Sequence, residues 1–213
     1  LQAFHSQPEI GAAFCRQIFV NDMGTWQAYS SVEQKSSGIL NNWLERLAEE
    51  QRIMTPSIVV RRDAYEQLGG FDSRLICSED WEMWVRIAAQ YPIWYEVEPL
   101  AVYRMHSASN TGRHVRNGDD VRYNRLAIEI FKSYLPKEIA NRVAGKARET
   151  YALSALETAH AALTKCDLHT VSAQIREALR LSHSSRVIRK TAGFLLRAGN
   201  LEVQRWIKRE GSA

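Results

Sequence analysis

Two adjacent acids, Glu79 and Asp80, follow Ser78 and precede Trp81, Trp84, Val85 and Ala88, which recur at helical spacing. Serine is a residue type that caps helix N-termini, so both carboxylates fall in a first helical turn, where exposed backbone N–H groups and the helix dipole favour negative charge. A carboxylate held there can take a proton from a hydroxyl in front of it. Acids are also common in first turns simply because they stabilise them. Upstream, Gly69-Gly70 offers backbone that a ligand can approach closely because no Cβ intervenes, or a plain helix stop ahead of a buried Phe71. Downstream, Arg104 can meet a phosphate and His106 can ligate a divalent metal, although a lone loop histidine usually does neither.

The elements that must position these residues are legible as strands alternating with helices. Gly11 to Val20 is apolar and β-prone, and Asn21-Asp22-Met23-Gly24 is a turn signal leading to an extended Thr25 to Ser30, a hairpin pattern. Leu40, Trp43, Leu44 and Leu47 mark the buried face of a helix ending near Glu50. Ile53 to Arg61 reads as a strand, and Asp63 with Glu66 forms a capping-box pattern for a short helix, Ala64 to Leu68. The helix opened by Ser78 must stop before Pro92, and Ile93 to Tyr103 returns as extended chain interrupted by Pro99. This alternation predicts an α/β sheet.

The remainder changes character. Residues 1–118 carry 11 Lys and Arg against 14 Asp and Glu, whereas residues 119–213 carry 17 against 10, so the basic excess belongs to the second part. Five of the six tryptophans precede that division. Ala-, Leu- and Arg-rich stretches predict helices over Asp120 to Ser133, Pro136 to Lys165, Leu168 to Leu181 and Ser185 to Arg209, the last with a break at Gly199-Asn200. They resemble tetratricopeptide-like hairpins, without a clean repeat. Loop chemistry at Ser107 to Gly112 and Asn117-Gly118 sets a boundary, giving units 1–115 and 119–213.

Several function classes drop out. The chain has no Gly-x-x-x-x-Gly-Lys-Ser/Thr or Gly-x-Gly-x-x-Gly loop, and no apolar run of the roughly 18–20 residues that a membrane span needs. Cys15, Cys77 and Cys166 are odd in number and far apart, which argues for a reducing compartment and a cytoplasmic location. His160, Cys166 and His169 match no standard zinc spacing. The basic residues of the helical part are interleaved with acids, so nucleic acid is not the expected partner. Arg186 to Arg209, where Val187, Ile188, Phe194, Leu195 and Leu196 accompany the cations, reads either as a helix packed on its neighbour or as a peripheral contact with the inner face of a membrane.

Four ordered stretches carry a resemblance: Thr55-Pro56-Ser57-Ile58-Val59-Val60-Arg61-Arg62-Asp63, Gly69-Gly70-Phe71-Asp72, Ser78-Glu79-Asp80-Trp81-Glu82-Met83-Trp84-Val85-Arg86, and Glu98-Pro99-Leu100-Ala101-Val102-Tyr103-Arg104-Met105-His106. Together they resemble the C-terminal, acceptor-side half of a GT-A glycosyltransferase domain of family 2. The resemblance implies an α/β fold for the first unit; the helical spacing of the second unit makes it an all-α extension. It implies inverting transfer from a nucleotide-diphosphate sugar to a saccharide or lipid-linked acceptor hydroxyl. Asp80 would be general base, with Glu79 beside it, Gly69, Gly70 and Trp81 at the sugars, and Arg104 at phosphate. His106 would complete a Mg²⁺ or Mn²⁺ shell. Trp81 can instead belong to the core, as tryptophans at helical spacing commonly do.

The chain departs from that family's pattern in having no Asp-x-Asp motif. The expectation is therefore a fragment lacking its nucleotide-binding half and inactive by itself. The alternative is a non-catalytic scaffold built on a degenerate remnant.

Overall fold

In a computed structural model of the chain, which describes residues 2–106 and 110–210, a short helix α1 (Gln2–Ser6) leads into a sheet centred on β1 (Ala12–Val20). One edge of β1 pairs in parallel with β5 (Ile93–Arg104), from Ala12 opposite Ile93 to Val20 opposite Arg104. Its other edge is shared. The start, Ala12 to Phe14, pairs antiparallel with β4 (Ile58–Val60), and the end, Ile18 to Val20, with β2 (Trp26–Tyr29). A two-residue β3 (Gly38–Ile39) closes the far edge of β5. The sheet is thus mixed, and the α/β class stands.

Local chemistry explains the joints. At the β1–β2 hairpin the Asn21 side-chain oxygen accepts the N–H groups of Met23 (3.0 Å) and Thr25 (2.9 Å), and Gly24 supplies the positive φ of the turn. Pro99 does not end β5. The strand absorbs it as a bulge, with Val97 and Glu98 passed over between the pairs Cys15–Glu96 and Arg16–Pro99. The expected strand from Ile53 shortens to β4 because Thr55–Ser57 forms a 3-10 turn with Pro56 inside it. That turn is fastened to the sheet by Gln17, whose buried amide donates to the Ser57 hydroxyl at 2.7 Å.

Helix α2 (Trp43–Glu49) buries Trp43 and Leu47 as expected, but Leu40 lies before it and hydrogen-bonds to Ile93 through its backbone N–H. Helix α3 (Arg62–Leu68) starts one residue ahead of Asp63, so no capping box forms and Glu66 pairs with Arg62 at 2.9 Å instead. Helix α4 (Glu79–Ala88) carries the two acids. The expected loop after residue 109 is also corrected: Asn110–Asn117 is a helix, α5, and the chain turns only at Gly118, where φ is 77°. Residues 107–109 of that stretch lie outside the described residues. Next come α6 (Asp119–Lys132), α7 (Lys137–Thr164), α8 (Leu168–Leu181) and α9 (Ser185–Glu210), the last running through Gly199-Asn200 without the expected break.

One apolar core joins sheet and helices. Phe14 and Tyr95 of the sheet, Leu47 of α2, Met83 and Ile87 of α4, Ile128 and Phe131 of α6 and Leu156 of α7 belong to the same buried cluster. At its centre Trp81 is 0% exposed, with ring centroids 5.1 Å from Phe131 and 4.9 Å from Tyr151, and its indole N–H donates to the Leu47 carbonyl at 2.7 Å. A second buried point sits one residue on. Glu82 holds Arg86 at 2.6 Å and accepts the Tyr134 hydroxyl at 2.9 Å, while Arg86 donates to the Leu68 carbonyl at 2.8 Å. This network ties α4 to the end of α3 and to the segment after α6. Trp81→Ala should lower unfolding free energy by about 3–5 kcal/mol in urea titration, because it empties the meeting point of four helices; a loss below about 1 kcal/mol would contradict this packing.

Candidate active site

Asp80 is brought to the surface by the same helical turn that buries Trp81. Successive helical residues are about 100° apart, so a residue next to a fully buried one can face outward. Ser78 takes the N-cap position in a left-handed conformation (φ 65°), yet its hydroxyl caps nothing and instead donates to the Asn124 side-chain oxygen at 2.7 Å. Asp80 is therefore oriented by other groups. Its Oδ1 accepts the Trp81 backbone N–H at 2.7 Å, and its Oδ2 accepts the Thr55 hydroxyl at 3.0 Å. No arginine or lysine pairs with it among the described residues.

In front of the carboxylate is a cleft of about 430 Å³. Glu79, Thr55 and Gln51 line it together with Ile76, Cys77 and Tyr103, and the helical part contributes His114, Asp120, Asn124 and Tyr151. The Tyr151 oxygen accepts the Gln51 backbone N–H at 2.9 Å, and burial pushes its phenol pKa up, so the hydroxyl keeps a proton to donate. Asp120 is also shifted upward by burial, while its Oδ1 accepts the Gln174 amide at 2.9 Å. Gln174 spans to the Val115 carbonyl as well, at 2.7 Å, which fixes the end of α5 against the start of α6.

The residues singled out in the sequence do not all converge. Glu79 and Asp80 share the cleft. Trp81 does not: it is fully buried, so it has no face for a sugar, and the core reading replaces the stacking one. Gly69 ends α3 with φ 80°, and open space surrounds Gly70, but neither lines the Asp80 cleft. Phe71 is 48% exposed rather than buried, lying against Tyr65 and edge-on to Trp84. Arg104 is exposed and donates to the Asp22 carbonyl at 2.8 Å. His106 is exposed beside Asn21, Asp22 and Met23, in a hollow separate from the cleft.

The fit to a divalent metal can be judged from the donors present. Among the described residues no three His, Cys, Asp or Glu side chains gather as a metal set, so His106 offers a single ligand. These residues do not form a Mg²⁺ or Mn²⁺ site by themselves.

Thr55, Tyr151, Asn124 and Asp120 went unremarked as site residues in the sequence. Thr55 opened a stretch of the resemblance and so carried a signal, whereas Tyr151 lies in an Ala-rich helix with nothing local to distinguish it.

Cysteine chemistry is absent from the cleft's prospects. Burial pushes the Cys77 thiol up to about 12, and its sulfur lies 3.7 Å from the Asp119 carbonyl, so it stays protonated and a poor nucleophile at neutral pH. Iodoacetamide should label exposed Cys166 in the native protein, and Cys15 and Cys77 only after unfolding, as read by peptide mass spectrometry. The corner after Gly70 supplies an acid-sensitive contact. Hydrogen bonds from Arg74, the shortest 2.6 Å, hold the Asp72 carboxyl down at about 2. A depressed carboxyl pKa stabilises the fold fully above its unfolded value and loses that contribution as pH falls through about 2. The difference in melting temperature between wild type and Asp72→Asn should therefore be present near neutral pH and vanish toward pH 2.

The family model described as glycosyltransferase-like family 2 matches residues 16–136, a stretch that contains the second half of β1, all of β2 to β5, the Asp80 helix and all of α6. No curated protein matches the chain. The match covers more than half of the sequence and spans both Asp80 and the α6 side of its cleft, so the chain belongs to the glycosyltransferase-like family 2.

Proposed function

We infer that this domain supplies the acceptor side of an inverting glycosyl transfer carried out by the intact protein, Asp80 acting as general base toward an acceptor hydroxyl. The observation that carries the reading is a carboxylate with no cationic partner among the described residues, aimed by Thr55 and its own helix at a cleft of about 430 Å³, room for a sugar ring. The acceptor oxygen attacks the anomeric carbon of the donor as its proton passes to Asp80. The bond from that carbon to the nucleoside diphosphate breaks on the opposite face, and the diphosphate leaves. Because a base works best when its orientation is already set, the Thr55 hydrogen bond is a positioning device.

The donor in this reading is a nucleotide-diphosphate sugar, and the acceptor is a saccharide or a lipid-linked sugar. A Mg²⁺ or Mn²⁺ ion on the diphosphate is part of the proposal; when bound it would supply charge neutralisation. Glu79 sits beside Asp80 at the cleft, suited to holding a second acceptor hydroxyl.

The decisive experiment is Asp80→Asn in the protein as its gene encodes it. The amide keeps the shape of the carboxylate but cannot accept the proton, so transfer should fall by about 10²–10⁴-fold while donor affinity is retained. Transfer within a few-fold of wild type would remove Asp80 from the base role.

A further inference from the structure

Helix α9 is held to the rest of the molecule by one narrow stripe. Val187, Thr191 and Phe194, at i, i+4 and i+7, are buried. At about 100° per residue, Ile188, Ala192, Leu195 and Leu196 occupy a neighbouring outward sector. Ile188, Leu195 and Leu196 are 50%, 57% and 72% exposed. The sector beyond carries Arg186, Arg189, Lys190 and Arg197. The outer surface is thus divided lengthwise into an aliphatic strip and a cationic strip. No Asp or Glu occurs between Ser185 and Leu201.

Two of the four cations are partly answered by α7: Lys190 pairs with Glu157 at 2.7 Å and Arg186 with Glu149 at 3.6 Å. Arg189 and Arg197 make no ion pair among the described residues. They help line a groove of about 370 Å³ between α7 and α9, whose apolar part is Leu156 and Phe194.

We propose that the outer face of α9 lies in the headgroup layer of an anionic membrane, its aliphatic strip inserted and its cations on the lipid phosphates. A helix that binds in the interface plane needs this lengthwise division and this sign of charge. A second copy packed antiparallel through this face would fit poorly, because that two-fold brings like cationic strips together. Nor does the helix cross the bilayer: among the described residues no helix is long and apolar enough to do so. The proposal is independent of the role given to Asp80.

Vesicle flotation of the full chain tests it. The protein should float with phosphatidylcholine vesicles containing about 30 mol% phosphatidylglycerol and not with phosphatidylcholine alone. About 0.5 M salt should release it. Leu195→Ser with Leu196→Ser should weaken partitioning by at least about tenfold even at low salt, through loss of inserted apolar surface. Arg189→Gln with Arg197→Gln should abolish the preference for phosphatidylglycerol. All four positions are solvent-exposed, so circular dichroism should show unchanged folding. Absence of flotation by the wild type, or undiminished flotation of the double leucine variant, overturns the proposal. So does a dimer in sedimentation that the leucine variant dissolves, which would assign the face to a second copy.

Discussion

The site depends on the burial of one indole. Trp81 is enclosed by α2, α6 and α7 and fastened through its N–H to the Leu47 carbonyl, so the rotation of α4 about its own axis is fixed. Fixing that rotation fixes Asp80. A helix end by itself is prone to fray, and a carboxylate on it would sample many directions; here the adjacent side chain is locked into close-packed surroundings, and Thr55 selects the orientation of the carboxyl group. Thr55 is in turn carried by a 3-10 turn that the buried Gln17 ties to the central strand. The route from sheet to the Asp80 carboxylate passes through few joints, each a single hydrogen bond.

The helices after residue 109 share in this construction. Their apolar faces complete the core that the sheet begins, and their polar residues form one side of the cleft. Arg142 and Lys146 of α7 also pair with Glu45 and Glu49 of α2, across the same junction. Exposed pairs of this kind add little stability, so it is the buried contact between α7 and the indole that holds the two parts in register.

Much of this was legible in the residues themselves. The β1–β2 hairpin followed from its Asn-Asp-Met-Gly turn, and the place of Asp80 at a helix start from the Ser-Glu-Asp sequence and the spacing that follows. Errors arose where tertiary partners outbid local preference. Ser78 has the chemistry of a cap, but Asn124 engages its hydroxyl. Asp63 has the pattern of a capping box, but the helix starts too early for it. Polar residues near 110 looked like loop, yet they form a helix whose end is secured by Gln174, some sixty residues later in the chain. Trp81 showed the same helical spacing whether it met a sugar or a core, and only the packing of α6 and α7 decides between them. Tyr151 had no local mark, because its part in the cleft is created by a backbone N–H of a distant segment.

The hydrogen bond from Ser78 to Asn124 ties the rim of the cleft to α6, and Asp120, one turn earlier on α6, is held by Gln174 of α8. A serine at positive φ is disfavoured unless its surroundings impose that backbone, and here its hydroxyl partner does so. Divergence among related chains is thereby channelled: a lineage that changes Asn124 must also find glycine, or a new partner, at position 78. The two sites should drift as a pair.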